Sequence, residues 1–73
     1  MASYDVILAN IHRNIILDDM PTYVRSLARG GRILFSGFYE ADAPQIMERA
    51  QSLGLTFAGQ SVREGWCCME FTK

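Results

Sequence analysis

The sequence lacks an excess of either charge, a long apolar run and separated cysteines. Seven Lys and Arg against eight Asp and Glu leave a net charge of −1, which argues against a surface built for nucleic acid. The longest apolar runs, such as Val6-Ile7-Leu8-Ala9, fall far short of the roughly 20 residues that a membrane span requires. The start, Met1-Ala2-Ser3-Tyr4-Asp5, has no basic stretch leading into an apolar core, so a signal peptide is not indicated. Cys67 and Cys68 are adjacent, so a bridge between them would be strained and a disulfide framework is excluded. Reduced thiols and a soluble cytoplasmic protein are expected. His12 is the single histidine and has no partner at ligand spacing, so no metal site is expected.

What is present is a globular composition. With 49% hydrophobic residues the chain is too apolar for a disordered tail, and 73 residues suffice for one small domain. Tyr4 to Ile11 reads as a strand whose apolar run suits burial on both faces. Ile11, Ile15, Ile16, Met20, Tyr23, Val24 and Leu27 then form a helical stripe interrupted by Pro21. A proline is tolerated in a first turn but removes a bond in mid-helix, so the pattern predicts a helical turn near Asn14–Asp18 and a separate helix from Met20 to Ala28. Asp18 or Asp19 would cap that helix, and Gly30 and Gly31 would stop it.

Ile33-Leu34-Phe35 forms a second strand, closed by Ser36-Gly37. Asp42 offers an N-cap, Pro44 a first turn, Ile46, Met47, Ala50 and Leu53 a stripe, and Gly54 a stop. Leu55 to Arg63 and Trp66 to Thr72 read as two further strands about a Glu64-Gly65 turn, with Trp66 packed in the core or under the sheet edge, and a substrate-stacking role as its alternative. Cys67 and Cys68 then point to opposite faces of the last strand.

The order strand, helix, strand, helix, strand, strand predicts an α/β fold with parallel pairing and an antiparallel final pair. Right-handed crossovers would put both helices on one face of the sheet. Nothing in the chain would then cover the other face, although Val6-Ile7-Leu8 and Ile33-Leu34-Phe35 are apolar toward both sides. The first strand is also an apolar edge with neither charge nor proline to blunt it beyond Asp5. A partner is therefore expected, either further sequence of the same protein or a second copy through the uncovered face.

Three segments carry a resemblance. Tyr4-Asp5-Val6-Ile7-Leu8-Ala9-Asn10-Ile11 resembles the fourth strand of the ribosomal protein L11 methyltransferases, ending in Ala-Asn-Ile. Leu27 to Gly37, with Gly30-Gly31-Arg32, an apolar trio and Ser36-Gly37, is similar to their fifth-strand signature, and Arg63-Glu64-Gly65-Trp66 looks like their Glu-Gly-Trp turn. The resemblance implies that residues 1–73 are the C-terminal half of a Rossmann-like catalytic domain. Its parent would transfer methyl groups from S-adenosylmethionine to amino groups of a ribosomal protein substrate. The family's glycine-rich cofactor loop and the acidic residue for the ribose are not in this sequence, and no Gly-x-Gly-x-Gly occurs. The chain alone is accordingly expected to be inactive and not to bind S-adenosylmethionine tightly.

Asn10 falls at the C-terminal end of the first strand, where open α/β sheets place ligands. On its own it suits a cap for the next helical turn; the resemblance makes it the residue that contacts S-adenosylmethionine and positions the amine. Ser36 and Gly37, at the end of the second strand, are candidate substrate contacts or a plain turn. Asp18 and Asp19 diverge on a helix and are no acid–base pair. Two other classes remain open: a free-standing α/β binding or dimerisation module, and the same half of a different S-adenosylmethionine-dependent methyltransferase.

Overall fold

The computed structural model describes residues 3–73. Strand β1 (Tyr4–Asn10) leads into helix α1 (Arg13–Ser26), strand β2 (Leu27–Tyr39), a single 3₁₀ turn (Glu40–Asp42) and helix α2 (Ala43–Ser52). Strands β3 (Thr56–Arg63) and β4 (Trp66–Thr72) close the chain. The fold is mixed α/β, with one four-stranded sheet in the order β1-β2-β4-β3.

β1 and β2 are parallel, and β4 is antiparallel to both β2 and β3. β3 therefore runs with β1 and β2, but it lies at the far edge. The chain reverses after β3 and slots β4 between it and β2. Burial explains why β4 takes the inner place: Cys67, Met69 and Phe71 are buried, whereas almost all of β3 is exposed.

Both helices cover one face. Ile16 and Met20 of α1 and Ile46 and Ala50 of α2 share a core with Ile33, Phe35, Met69 and Phe71. The Phe35 ring lies between Tyr23 and Phe71 at centroid distances of 6.4 and 6.0 Å. The second face stays open, with Val6 46% and Leu8 75% exposed. No helix among the described residues is long and apolar enough to cross a membrane.

Three local expectations are corrected. First, α1 is one continuous helix with Pro21 inside it rather than two pieces. Ile16 and Met20 lie one turn apart and are both fully buried, and burying them contributes roughly 1.5–3 kcal/mol each. That outweighs the single backbone bond the proline removes. Asp18 and Asp19 consequently sit in mid-helix, exposed, and cap nothing.

Second, Gly30 and Gly31 do not stop α1, which ends at Ser26; they lie within β2. Tyr4 pairs with Leu27 but Val6 with Arg32, so β2 bulges through these glycines, with Gly30 at φ +81°. A Cβ on Gly31 would meet the Asp5 carbonyl at 2.9 Å. The end of α1 is capped from afar: the Lys73 ammonium donates to the Val24 and Leu27 carbonyls at 2.6 and 2.9 Å. Third, Asp42 makes no side-chain cap to α2, because its carboxylate accepts from Arg13 at 3.0 Å.

The stop after α2 is as expected. Gly54, at φ +87°, donates to the Gln51 carbonyl, and Leu55 donates to that of Ala50, the two bonds of a Schellman motif.

Candidate active site

The parallel pairing of β1 with β2 ends at Asn10 and Ser36, and the side chains there define the site; β2 itself is not closed by Ser36-Gly37 as expected but bulges there and runs on to Tyr39 against β4. Asn10 and Ser36 are register partners, and the Ile11 N–H donates to the Ser36 carbonyl at 3.1 Å. The next partners across the sheet are Cys68 on β4 and Ser61 on β3. Because cross-strand partners share a face, Asn10, Ser36, Cys68 and Ser61 form one row of small polar side chains on the open face.

Gly37 follows Ser36 with φ +88°, a left-handed conformation that glycine adopts without steric cost. It is also packed too tightly for a side chain. A Cβ there would lie 2.7 Å from Asn10 Oδ1 and 2.9 Å from the Ile11 carbonyl oxygen. The bare glycine thus makes room for the Asn10 amide at the strand end, and the two residues form one unit.

A cleft of about 680 Å³ opens over this row. That lies within the range of small-molecule sites, roughly 300–1,000 Å³. His12 and Ile15, from the start of α1, line one side, and Arg63 and Trp66 line the other. The ion pair between Arg13 and Asp42 fixes the first turn of α1 against the start of α2, and so holds the His12 side in place.

Trp66 is the main correction at the site. It does not pack in the core but is 48% exposed at the cleft. The alternation of β4 sends Cys67, Met69 and Phe71 toward the helices, which leaves Trp66, Cys68 and Glu70 for the open face. Cys67 and Cys68 do separate as expected, one buried and one half-buried. Burial pushes the Cys67 thiol pKa up, with neighbouring Cys68 and Glu40 adding to the shift, so Cys67 stays protonated and is no nucleophile.

The sequence-predicted residues Asn10, Ser36 and Gly37 come together, with His12 beside them. Asp18 and Asp19 lie elsewhere on α1. Ser61, Arg63 and Cys68 join the site although the sequence did not mark them as site residues. Their signal was the hairpin: folding β4 back along β3 brings Ser61 opposite Cys68 and Arg63 opposite Trp66. No Asp or Glu lines the cleft, and no three His, Cys, Asp or Glu among the described residues gather to hold a metal ion. The arrangement suits orientation by an amide and hydroxyls more than acid–base chemistry.

Comparison with known proteins shows the family. The family model for ribosomal protein L11 methyltransferase matches residues 1–73. The ribosomal protein L11 methyltransferase of Porphyromonas gingivalis is 48% identical over 69 residues, covering 94% of this chain and 24% of that protein. Those of Bacteroides thetaiotaomicron and Brucella abortus are 42% and 33% identical over the same length. The chain spans about a quarter of the length of these relatives. Among solved structures, the ribosomal protein L11 methylase of Lactobacillus delbrueckii subsp. bulgaricus superposes on the whole chain with a TM-score of 0.93 at 23% identity, using 38% of its own length. A methyltransferase from Pyrococcus furiosus superposes on 97% of the chain with a TM-score of 0.76 at 18% identity, using 41% of its length.

Proposed function

Because the chain belongs to the ribosomal protein L11 methyltransferase family, we propose that it forms the C-terminal half of a Rossmann-like catalytic domain that methylates amino groups of ribosomal protein L11 from S-adenosylmethionine. The observation that carries this reading is the family match across the whole chain, residues 1–73. The joint placement of Asn10, Ser36 and Gly37 where the parallel pairing of β1 with β2 stops supports it. Such an enzyme works in the cytoplasm, on a protein substrate, without direct contact to nucleic acid or membrane.

S-adenosylmethionine, when bound, supplies a methyl group made electrophilic by its sulfonium. The cleft fits the transfer end of that cofactor. Gly37 leaves the space a Cβ would fill, and Ser36, Cys68 and Ser61 keep the floor low. Asn10 would hold the cofactor's methyl end and position the acceptor. Its Oδ1 accepts a hydrogen bond from the acceptor nitrogen and turns the nitrogen lone pair toward the methyl group, and orientation of this kind accounts for much of such a rate enhancement. Ser36 and Gly37 would contact the substrate.

No carboxylate lines the cleft to hold the ribose hydroxyls. The chain alone should therefore bind the cofactor too weakly for calorimetry and should not catalyse.

The test joins the chain to the remaining three-quarters of its Porphyromonas gingivalis relative. Labelled methyl should pass from S-adenosylmethionine to ribosomal protein L11. Asn10→Ala should slow the transfer by about 10- to 100-fold, as expected when an orienting contact is lost. A folded fusion that transfers nothing would overturn the proposal.

A further inference from the structure

We propose that Trp66, held in place by Tyr39, is the wall against which the substrate's acceptor side chain lies, which makes this aromatic pair a specificity-determining site for a lysine-like side chain. The inference deepens the amine-methylation reading and rests on it. Its first support is exposure. Tyr39 and Trp66 are 54% and 48% exposed, although Phe35, Phe38 and Phe71 on the same two strands are buried. Two large aromatic side chains left half in water, side by side on an open face, mark a contact surface.

The second support is rigidity. The rings stack with centroids 4.2 Å apart and an interplanar angle of 22°. They stand on register partners of antiparallel strands, and the Glu40 N–H donates to the Gly65 carbonyl at 2.9 Å beside them. Only Trp66 lines the cleft; Tyr39 supports its ring from outside. A surface fixed before binding loses little entropy when a ligand arrives.

The third support is chemistry. The low row of Ser36, Cys68 and Ser61 lies next to Trp66, and Ile15 lines the cleft's other side. The cleft thus offers a slot with a low polar floor and with Trp66 and Ile15 as its apolar walls, running to Asn10. Methylenes pack against an indole face, which also attracts a cationic head. A carboxylate would hold the bound amine as ammonium, the form that cannot accept a methyl group. No Asp or Glu lines the cleft, so no carboxylate there pins that proton. An aromatic wall captures the side chain without fixing its proton.

Trp66 is the only tryptophan, so its signals report on this site alone. The chain is titrated with Nα-acetyl-lysine methylamide, and in parallel with the norleucine analogue, following the indole N–H resonance and the emission. The lysine compound should shift the indole saturably and bind about threefold more tightly than norleucine, the range expected of an exposed cation–aromatic contact. Tyr39→Leu should weaken binding of the lysine compound, and Tyr39→Phe, which keeps the stack, should not. An indole that does not respond to the lysine compound, or a Tyr39→Leu protein that binds as well as the parent, overturns the proposal. The readout uses neither cofactor nor transfer. A failed titration therefore leaves the methyl-transfer reading standing, and an inactive fusion leaves the titration to decide this one.

Discussion

Glu64 is the one non-glycine residue among those described with a positive φ, 52°, and Gly65 follows at 84°. Two successive left-handed residues make the mirror-image turn that tight hairpins favour, in which asparagine suits the first position better than glutamate. Glu64→Asn should stabilise the fold by about 0.5–1 kcal/mol, read as a higher urea midpoint at unchanged slope. Gly37 works in the opposite direction, since its left-handed φ and its contact with Asn10 both oppose a side chain. Gly37→Ala should cost about 1–2 kcal/mol and shift the amide resonances of Asn10. At Cys67 the folded state holds the thiol pKa above its unfolded value of about 8.5. The resulting stabilisation is fully present below that pH and is lost as pH rises through the folded value. The denaturation midpoint should therefore fall with alkali above about pH 8.5, and Cys67→Ala should remove this part of the pH dependence. That Asn10 would lie beside Ser36 and Gly37 was legible in the sequence, because all three follow apolar strand segments whose direction could be read. Trp66 was not, because a one-residue choice of strand parity decides whether it meets core or cleft.

Among the elements, α1 departed furthest from its reading, and the reason is physical. Local propensity counts Pro21 as a break, but Ile16 and Met20 before it and Tyr23 and Val24 after it pack against the same core, and tertiary burial decides. Pro21→Ala tests this directly. In a continuous helix it restores a bond to the Leu17 carbonyl and should raise stability by about 1 kcal/mol in urea melts, whereas at a true first turn it would not. The far end of the same helix depends on Lys73, a contact spanning 46 to 49 residues that no local pattern reveals. The α2 stop at Gly54 was readable because its signal is local: a glycine just past an apolar stripe. The glycines of β2 carried the right conformation in the wrong element. Positive φ at Gly30 serves a bulge against β1, and bulge and cap look alike until the partner strand is placed.

At the scale of the molecule, handedness alone foretold that both helices would share a face, and they do. The place of β4 inside the sheet was present in the sequence only as a contrast: Trp66 to Thr72 is the more apolar strand, and Thr56 to Arg63 the more polar. What handedness also implies is the open face, and it bears on the isolated chain. Tyr4, Val6 and Leu8 lie along β1, an edge strand whose outer backbone groups have no partner in this sheet. Nothing on that strand blunts it, since its single charged residue, Asp5, sits near its start and no proline or lysine follows. The chain should self-associate through this edge. Sedimentation at rising concentration should show species larger than a monomer. Leu8→Lys puts a charge on the 75%-exposed centre of the patch and removes no core contact. It should return the chain to a monomer with its urea midpoint nearly unchanged. A parent chain that stays monomeric to millimolar concentration would mean that β1 and its open face do not pair on their own.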